Sequence, residues 1–145
     1  MNLIIESNQG ISQFNNSIRK PRILVVDDET LICWSLRSAL TKKGFEVITS
    51  TSFQEGIREI SSRNFDVLIA DLKLDEGDGF NVIAEARKKN PLIKTVMITA
   101  FGDENSRHKA DELYVNLFVE KPLNLSEIVN SVSLLIKKQT PPFPN

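Results

Sequence analysis

The chain alternates short β-prone apolar runs with segments of helical periodicity, and this alternation restricts its possible folds more than any other feature. The five runs are residues 23–26, 46–49, 67–70, 95–98 and 117–119. Three of them are continuously apolar, as strands covered on both faces are. A strand followed by a helix, five times over, predicts a doubly wound α/β fold with one five-stranded parallel sheet and helices on both faces.

The segments between the runs carry helix signals of unequal strength. Residues 30–42 place apolar side chains on one stripe. Capping signals stand before three other segments: Ser52 with Glu55, Asp78, and Asn124 with Glu127. Residues 103–113 offer only Ala110 and Leu113 as anchors to a core. We therefore expect this segment to be the most easily moved element of the fold.

The two ends of the chain differ in composition from the part between them. Residues 8–20 are rich in Asn, Gln and Ser, so we interpret residues 1–20 as a flexible N-terminal extension. Residues 139–145 are rich in proline, which favours an extended tail or the start of a linker. We predict one domain over residues 21–138, and a chain of 145 residues is the size of one such core.

Composition excludes several classes of function. The formal net charge of −1 offers no basic footprint for direct binding of nucleic acid. Cys33 is the one cysteine, which excludes an internal disulfide and a cysteine-rich zinc site and fits a reducing cytosol. No apolar stretch approaches the length of a membrane span, and residues 1–6 do not form a signal peptide. We therefore expect a soluble cytoplasmic protein that binds neither membranes nor nucleic acid.

Polar side chains follow four of the five predicted strands at their carboxyl ends. They are Asp27, Asp28 and Glu29 after the first run, Asp71 after the third, Thr99 after the fourth, and Glu120 and Lys121 after the fifth. In a doubly wound sheet these ends border the crevice in which ligands bind. Two carboxylates about 4 Å apart repel by roughly 4 kcal/mol at an effective dielectric of 20, so they must protonate, pair or hold a cation. Oxygen ligands without histidine suit Mg²⁺ best.

Any one of these residues has an ordinary structural explanation. Asp28 or Asp71 alone would serve equally well as a helix cap, and Thr99 alone is a common β-branched strand residue. Lys121-Pro122 alone would be an ordinary turn. The functional interpretation depends on their conjunction, because each falls at the same edge of an independently predicted sheet.

Taken together, these residues resemble the receiver domain of two-component response regulators. The resemblance covers residues 22–138. It is carried by Asp27-Asp28, by Asp71 in Asp71-Leu72-Lys73-Leu74-Asp75-Glu76-Gly77-Asp78-Gly79-Phe80, by Thr99-Ala100 and by Lys121-Pro122. It implies a flavodoxin-like (βα)₅ architecture and a phosphorylation-dependent signalling switch. Such a domain catalyses its own phosphoryl transfer and autodephosphorylation and is not otherwise an enzyme.

The resemblance also implies the chemistry of the site. Asp71 would accept a phosphoryl group from a phosphohistidine on a sensor histidine kinase or phosphotransfer protein, forming an acyl phosphate. The implied Mg²⁺ ligands are Asp27, Asp28, Asp71 and the backbone carbonyl of Lys73. Lys121 would pair with the phosphoryl group.

Further residues match positions that the family uses for switching and for phosphoryl lifetime. Thr99 would move to hydrogen-bond the phosphoryl group, and Phe118 would turn inward behind it, although a plain core role for Phe118 stays open. Lys73 and Phe101 occupy positions that flank the access of water, and we hypothesise that they tune phosphoryl lifetime. Asp75 stands where many receivers have proline, which adds negative charge near the site.

Alternatives of other classes fit the residues less well. A phosphatase of the haloacid dehalogenase type also uses an aspartyl phosphate and Mg²⁺, but it needs a second Asp two residues after the nucleophile. Here Glu29 and Lys73 stand at those positions. A flavin-binding module of the same architecture would need a phosphate loop rich in Ser, Thr and Gly after the first strand. This sequence has no such loop there, and Asp27, Asp28 and Glu29 follow the first run instead.

Within the switch interpretation, the chain is either a stand-alone receiver or the receiver part of a longer transcription regulator. The output partner is not identified by the residues. A phosphorylation-dependent homodimer stays open.

Overall fold

The computed structural model of the protein describes residues 19–137, in which strands and helices alternate. The strands are β1 (Arg22–Val26), β2 (Glu46–Ser50), β3 (Val67–Asp71), β4 (Lys73–Leu74), β5 (Gly77–Asp78), β6 (Lys94–Thr99) and β7 (Leu117–Glu120). The helices are α1 (Thr30–Lys42), α2 (Phe53–Ser62), α3 (Gly79–Lys89), α4 (Glu104–Glu112) and α5 (Leu125–Lys137).

Within these residues, five parallel strands form one sheet in the order β2-β1-β3-β6-β7. The predicted fold class is thereby confirmed. The chain moves outward from β1 to β2 and then returns to the other side of β1 to form β3. The strand order therefore reverses between β1 and β3, and such a reversal is where doubly wound sheets bind ligands.

The sheet separates two apolar layers, which explains why its central strands are continuously apolar. Ile23 and Val25 of β1 face a layer that includes side chains of α1 and α5. Leu24 and Val26 face the opposite layer, formed with α2, α3 and α4. All four side chains are fully buried, and burial of such a side chain contributes about 1.5–3 kcal/mol. Alternation along the strand thus serves two cores rather than one.

The predicted capping residues start three of the helices. Ser52 accepts a hydrogen bond from the backbone N–H of Glu55 at 3.1 Å. Asp78 accepts one from the Asn81 N–H at 2.9 Å, and Asn124 accepts one from Glu127 at 3.1 Å. Because these helices start at the carboxyl edge of the sheet, their caps also fix the loops around the crevice.

Helix α4 has the weak attachment that the sequence predicts. Its one buried side chain is Ala110, and Leu113 at its C-terminal end is half-buried. Asp103 caps its N-terminus by accepting a hydrogen bond from the Ser106 N–H at 2.7 Å. Few apolar contacts therefore resist displacement of this helix.

A two-stranded antiparallel pair, β4 with β5, was not predicted and lies between β3 and α3. Each strand has two residues, too few to produce an alternating pattern. Gly77 of β5 lies against the ring of Phe53, where a Cβ atom would stand 2.5 Å from a ring carbon. The absence of a side chain at Gly77 thus lets this loop pack against the start of α2.

The predicted N-terminal extension and proline-rich tail lie outside the described residues, apart from Arg19 and Lys20. The domain boundaries therefore stay predictions. None of the helices between residues 19 and 137 has the length and apolar character that crossing a membrane requires.

Candidate functional site

Three aspartates meet where the strand order reverses. Asp27 directly follows β1, and Asp71 is the last residue of the neighbouring strand β3. Asp27 is fully buried, Asp71 is 6% exposed, and Asp28 is half-buried. One carboxylate oxygen from each lies within 4.8 Å of the others. The crossover topology thus brings residues more than 40 positions apart into one acidic cluster.

The backbone around Asp27 fixes its carboxylate so that one oxygen remains directed at the cluster. Asp27 Oδ1 accepts a hydrogen bond from the Glu29 N–H at 2.8 Å. The thiol of Cys33 donates to the Asp27 carbonyl at 3.2 Å, and the Asp27 N–H donates to the Ser50 carbonyl at 3.0 Å. Asp27 Oδ2 is buried and lies 3.1 Å from Lys121 Nζ, but among residues 19–137 it has no partner with hydrogen-bond geometry.

Lys121 brings the main positive charge to the cluster. Its Nζ lies 2.6 Å from Glu29 Oε1, 3.1 Å from Asp27 Oδ2 and 3.3 Å from Asp71 Oδ2. The side chain is 11% exposed. Lys121 follows β7, its backbone N–H donates to the Thr99 carbonyl at 2.8 Å, and its peptide bond to Pro122 is cis. The last strand of the sheet thereby places an ammonium over the centre of the crevice.

Burial and the neighbouring charges shift the pKa values of the groups in the cluster. Burial, followed by the charge of Asp27, raises the pKa of Asp71 to about 6, although Lys121 opposes this shift. Burial also raises the pKa of Asp27. For Lys121, burial favours the neutral form, but its hydrogen bond to Glu29 and the charges of Asp27 and Asp71 outweigh burial and raise its pKa. The cluster therefore holds more negative charge than its lysine neutralises.

These residues fit a hard divalent cation. The donors are carboxylate oxygens close enough to share one ion, and buried Asp27 Oδ2 has the ion pair with Lys121 but no partner with hydrogen-bond geometry among the described residues. Such a set suits Mg²⁺, which takes one or two carboxylates and keeps waters for contact with phosphate oxygens. The Lys73 backbone lies beside the cluster, with its N–H 3.4 Å from Asp71 Oδ1. Its carbonyl as a fourth ligand stays a prediction.

Thr99 and Phe118 lie on the neighbouring strands β6 and β7, in the half of the sheet nearest α4. Thr99 ends β6, is 1% exposed, and its hydroxyl accepts a hydrogen bond from the Phe101 N–H at 3.1 Å. Phe118 is half-buried on β7, opposite Met97. Gly102 of the loop after β6 lies against Phe118, because a Cβ atom there would stand 2.9 Å from the Phe118 ring. The loop after β6 thus contacts both predicted switch residues.

A clamp formed by Glu120 holds this loop against β7, and sequence reasoning did not identify it. Glu120 accepts hydrogen bonds from the Gly102 N–H at 3.1 Å and from the Arg107 guanidinium at 2.8 Å. The same guanidinium lies 4.8 Å from the centre of the Phe118 ring. Since the partners are 13 and 18 positions apart, no local sequence pattern indicates the clamp.

A second clamp, also missed from the sequence, fixes the turn that leads into β7. The Arg87 guanidinium of α3 donates to the carbonyls of Leu113 and Tyr114 and to the Thr95 hydroxyl. Tyr114 adopts a positive φ of 56°. Arg87 therefore ties the C-terminal end of α4 to the body of the domain, while the N-terminal end depends on the Glu120 clamp.

Lys73 and Phe101 lie at the rim, not inside the crevice. Lys73 is the exposed first residue of β4, and Phe101 is 72% exposed in the loop after β6. Lys73 lies two residues after Asp71 in the sequence, and Phe101 lies two residues after Thr99. Their side chains are thus available to shield the crevice from water or to leave it open.

The fold and the site define a doubly wound α/β domain with an acidic, lysine-paired crevice at its switch point. The chain belongs to the response regulator receiver domain family, whose model matches residues 23–133.

Individual relatives agree with this membership. The transcriptional regulatory protein GlrR of Escherichia coli is 29% identical over 125 residues, which are 86% of this chain and 28% of GlrR. The chain therefore spans less than a third of that relative. A CheY-like receiver domain from Methanospirillum hungatei superimposes with a TM-score of 0.78 at 25% identity, over 81% of this chain and 94% of that one. The regulator TrrA of Thermotoga maritima, solved with Mg²⁺ and beryllofluoride, gives a TM-score of 0.70 at 31% identity, over 79% and 98%.

The domain is thus a phosphorylation-dependent signalling switch of the two-component type. These comparisons give no support to a phosphatase of the haloacid dehalogenase type.

Proposed function

We propose that this receiver domain accepts a phosphoryl group on Asp71 from a phosphohistidine of a sensor histidine kinase or phosphotransfer protein. The supporting observation is the position of Asp71 where the strand order reverses between β1 and β3. Oxygens of Asp27 and Asp28 lie within 4.8 Å of its carboxylate, and Lys121 Nζ lies 3.3 Å from it. Asp27, Asp28 and Asp71 would hold Mg²⁺, which when bound neutralises charge on the transferring phosphoryl oxygens.

In the proposed transfer, an oxygen of the ionised Asp71 attacks phosphorus as the bond from phosphorus to the imidazole nitrogen breaks. The bonding electron pair leaves with the imidazole, and an acyl phosphate remains on Asp71. Lys121 donates to a phosphoryl oxygen, since its Nζ already lies within 3.3 Å of the acceptor carboxylate. Hydrolysis of the acyl phosphate by water returns the domain to its starting state.

The proposed switch follows from where Thr99 donates and accepts hydrogen bonds. Its hydroxyl bonds to the loop at Phe101, so turning it toward the phosphoryl group would release the Phe101 N–H. That loop also contacts Phe118 and the Glu120 clamp through Gly102. Phosphorylation would thus act on α4 and β7, the part of the domain with the fewest core anchors. Phosphorylation shifts the equilibrium between two arrangements of α4 and β7 only to the extent that the phosphoryl group interacts more favourably with one of them.

Magnesium-dependent labelling tests the proposal. We expect the 145-residue chain, incubated with Mg²⁺ and a small phosphodonor such as acetyl phosphate, to gain the mass of one phosphoryl group. EDTA should prevent the gain, because the acidic cluster would then repel the incoming phosphoryl oxygens. Intact-mass spectrometry measures both results. Absence of the adduct, or equal labelling with EDTA, would contradict the proposal.

We also predict that Lys73 and Phe101 slow the loss of the phosphoryl group. Replacing both with alanine should speed autodephosphorylation severalfold, because an exposed aromatic ring and a long cation at the rim would no longer impede water. The rate is measured by intact mass after removal of the phosphodonor. Leu92→Ala, an exposed apolar residue after α3, serves as the matched control. An unchanged rate in the double variant would show that these residues do not set phosphoryl lifetime.

The wider role is proposed from the family alone. Membership implies a histidine kinase or other phosphodonor and an output partner, and similarity to GlrR supports a receiver that is part of a transcription regulator. A phosphorylation-dependent homodimer and a cytoplasmic location stay predictions from the sequence.

A further inference from the structure

We infer that Glu29 is a positioning residue that competes with the phosphoryl group for Lys121 and so restrains phosphorylation of Asp71. The inference rests on the proposed function and deepens it. It assigns a specific role to a carboxylate that the sequence identifies only as one of the polar residues following the first strand.

The backbone position of Glu29 does not account for what its side chain does. Glu29 is the N-cap residue of α1, a position where Ser, Thr, Asp and Asn are preferred because their side chains accept a helix N–H. Its own carboxylate forms no such cap. Instead it extends to Lys121, 92 positions along the chain, and receives a hydrogen bond of 2.6 Å. The side chain is therefore committed to the lysine and not to the helix.

Lys121 is already surrounded by carboxylates in this arrangement. An ammonium carries three N–H donors. In the described part of the chain, three carboxylates lie within 3.3 Å of Nζ, those of Glu29, Asp27 and Asp71. Nζ donates hydrogen bonds to Glu29 and Asp71 and forms an ion pair with Asp27, so a phosphoryl oxygen that approaches it must displace one of these carboxylates.

Glu29 is the carboxylate that can leave at least cost. The side chains of Asp27 and Asp71 are 0% and 8% exposed, whereas that of Glu29 is 59% exposed. Turning into water therefore costs Glu29 little desolvation, while Asp27 and Asp71 remain beside the reacting atoms. Phosphorylation must nevertheless break the shortest of the three contacts, and that loss opposes the transfer.

Two substitutions separate the contact from the charge. Glu29→Gln keeps the length of the side chain and removes its charge, whereas Glu29→Asp keeps the charge and shortens the reach toward Lys121. We expect both to raise the phosphorylation rate constant with acetyl phosphate, and the affinity for beryllofluoride, by about fivefold at saturating Mg²⁺, as loss of a competing ion pair of ordinary strength would. Mg²⁺ affinity, measured by calorimetry without phosphodonor, should change no more than in the control.

The matched control is Asp75→Asn, which removes an exposed charge from the β4–β5 turn outside the ion pairs of Lys121. It should leave both phosphorylation and beryllofluoride affinity near the wild-type values. The role of Glu29 is refuted if both of its variants match wild type, if both are slower, or if Asp75→Asn gives the same gain. A wild-type chain that takes up neither phosphoryl group nor beryllofluoride would overturn the proposed function itself, and the role of Glu29 with it.

Discussion

Replacing Asp71 with asparagine is expected to abolish phosphorylation of the domain. The amide has the same shape as the carboxylate, but it lacks the charged oxygen that would attack phosphorus. Asp27 and Asp28, the other carboxylates of the cluster, are expected to hold the metal and not to substitute as acceptors. Intact-mass spectrometry after incubation with Mg²⁺ and acetyl phosphate should therefore show an adduct in wild type and none in the variant. A variant labelled as fully as wild type would mean that the acceptor lies elsewhere.

The stability of the same variant shows whether it is folded. The pKa of Asp71 in the folded protein is about 6, above the ordinary value of 3.8, so its ionisation costs the folded state stability. In EDTA, the contribution of Asp71 to the stability of wild type should therefore fall as the pH rises from about 4 to about 6. Asp71→Asn lacks this loss and should be more stable than wild type by about 3 kcal/mol at pH 8. Urea unfolding at pH 5 and pH 8 measures the difference.

The sequence predicted the fold well because both of its signals are local. Five apolar runs and the helical segments between them require only neighbouring residues to be recognised, and the observed strands extend the predicted runs by one residue at one or both ends. Burial on both faces made the central runs continuously apolar. The β4–β5 pair was missed because two-residue strands carry no period.

The site was only partly predictable, because contacts between its side chains span the chain. Polar residues at strand ends indicated where Asp27, Asp71 and Lys121 would gather, since parallel strands share one carboxyl edge. The partner of Lys121 at Glu29 was missed, since an exposed acid at a helix start has an ordinary explanation in the helix dipole. Geometry was needed to show that this acid faces the lysine.

The Glu120 clamp escaped prediction for a related reason. Glu120 immediately precedes Lys121, so the sequence presents it as another strand-end acid. In the structure its carboxylate accepts hydrogen bonds from the Gly102 N–H and from the Arg107 guanidinium. Adjacent residues of extended backbone point to opposite sides, so Glu120 at the end of β7 contacts α4 whereas Lys121, the next residue, faces the crevice. One strand therefore connects the predicted phosphorylation site with the most weakly anchored helix.

The second large effect is expected from Lys121→Met, which keeps a long side chain and removes the ammonium. Asp27 and Asp71 would then be buried without their counter-charge. Removing one partner of a buried ion pair commonly costs 3–5 kcal/mol, and partial protonation of the aspartates should lower the cost here to about 2 kcal/mol at pH 8. Urea unfolding in EDTA measures the loss, and Lys88→Met, which removes an exposed surface pair with Glu85, is the control.

Saturating Mg²⁺ should return most of the stability that Lys121→Met loses, because a divalent cation among Asp27, Asp28 and Asp71 replaces the missing positive charge. Lower pH should also restore stability, since without Lys121 the pKa of Asp71 loses the influence that opposes its rise and the carboxyl is neutral over a wider pH range. A loss that neither Mg²⁺ nor acid reverses would come from packing and not from charge, and Lys121 would then not be the electrostatic partner of the cluster. Recovery with Mg²⁺ but continued failure of phosphorylation would separate two roles of this residue: balancing the acids before transfer, and holding the phosphoryl group during it.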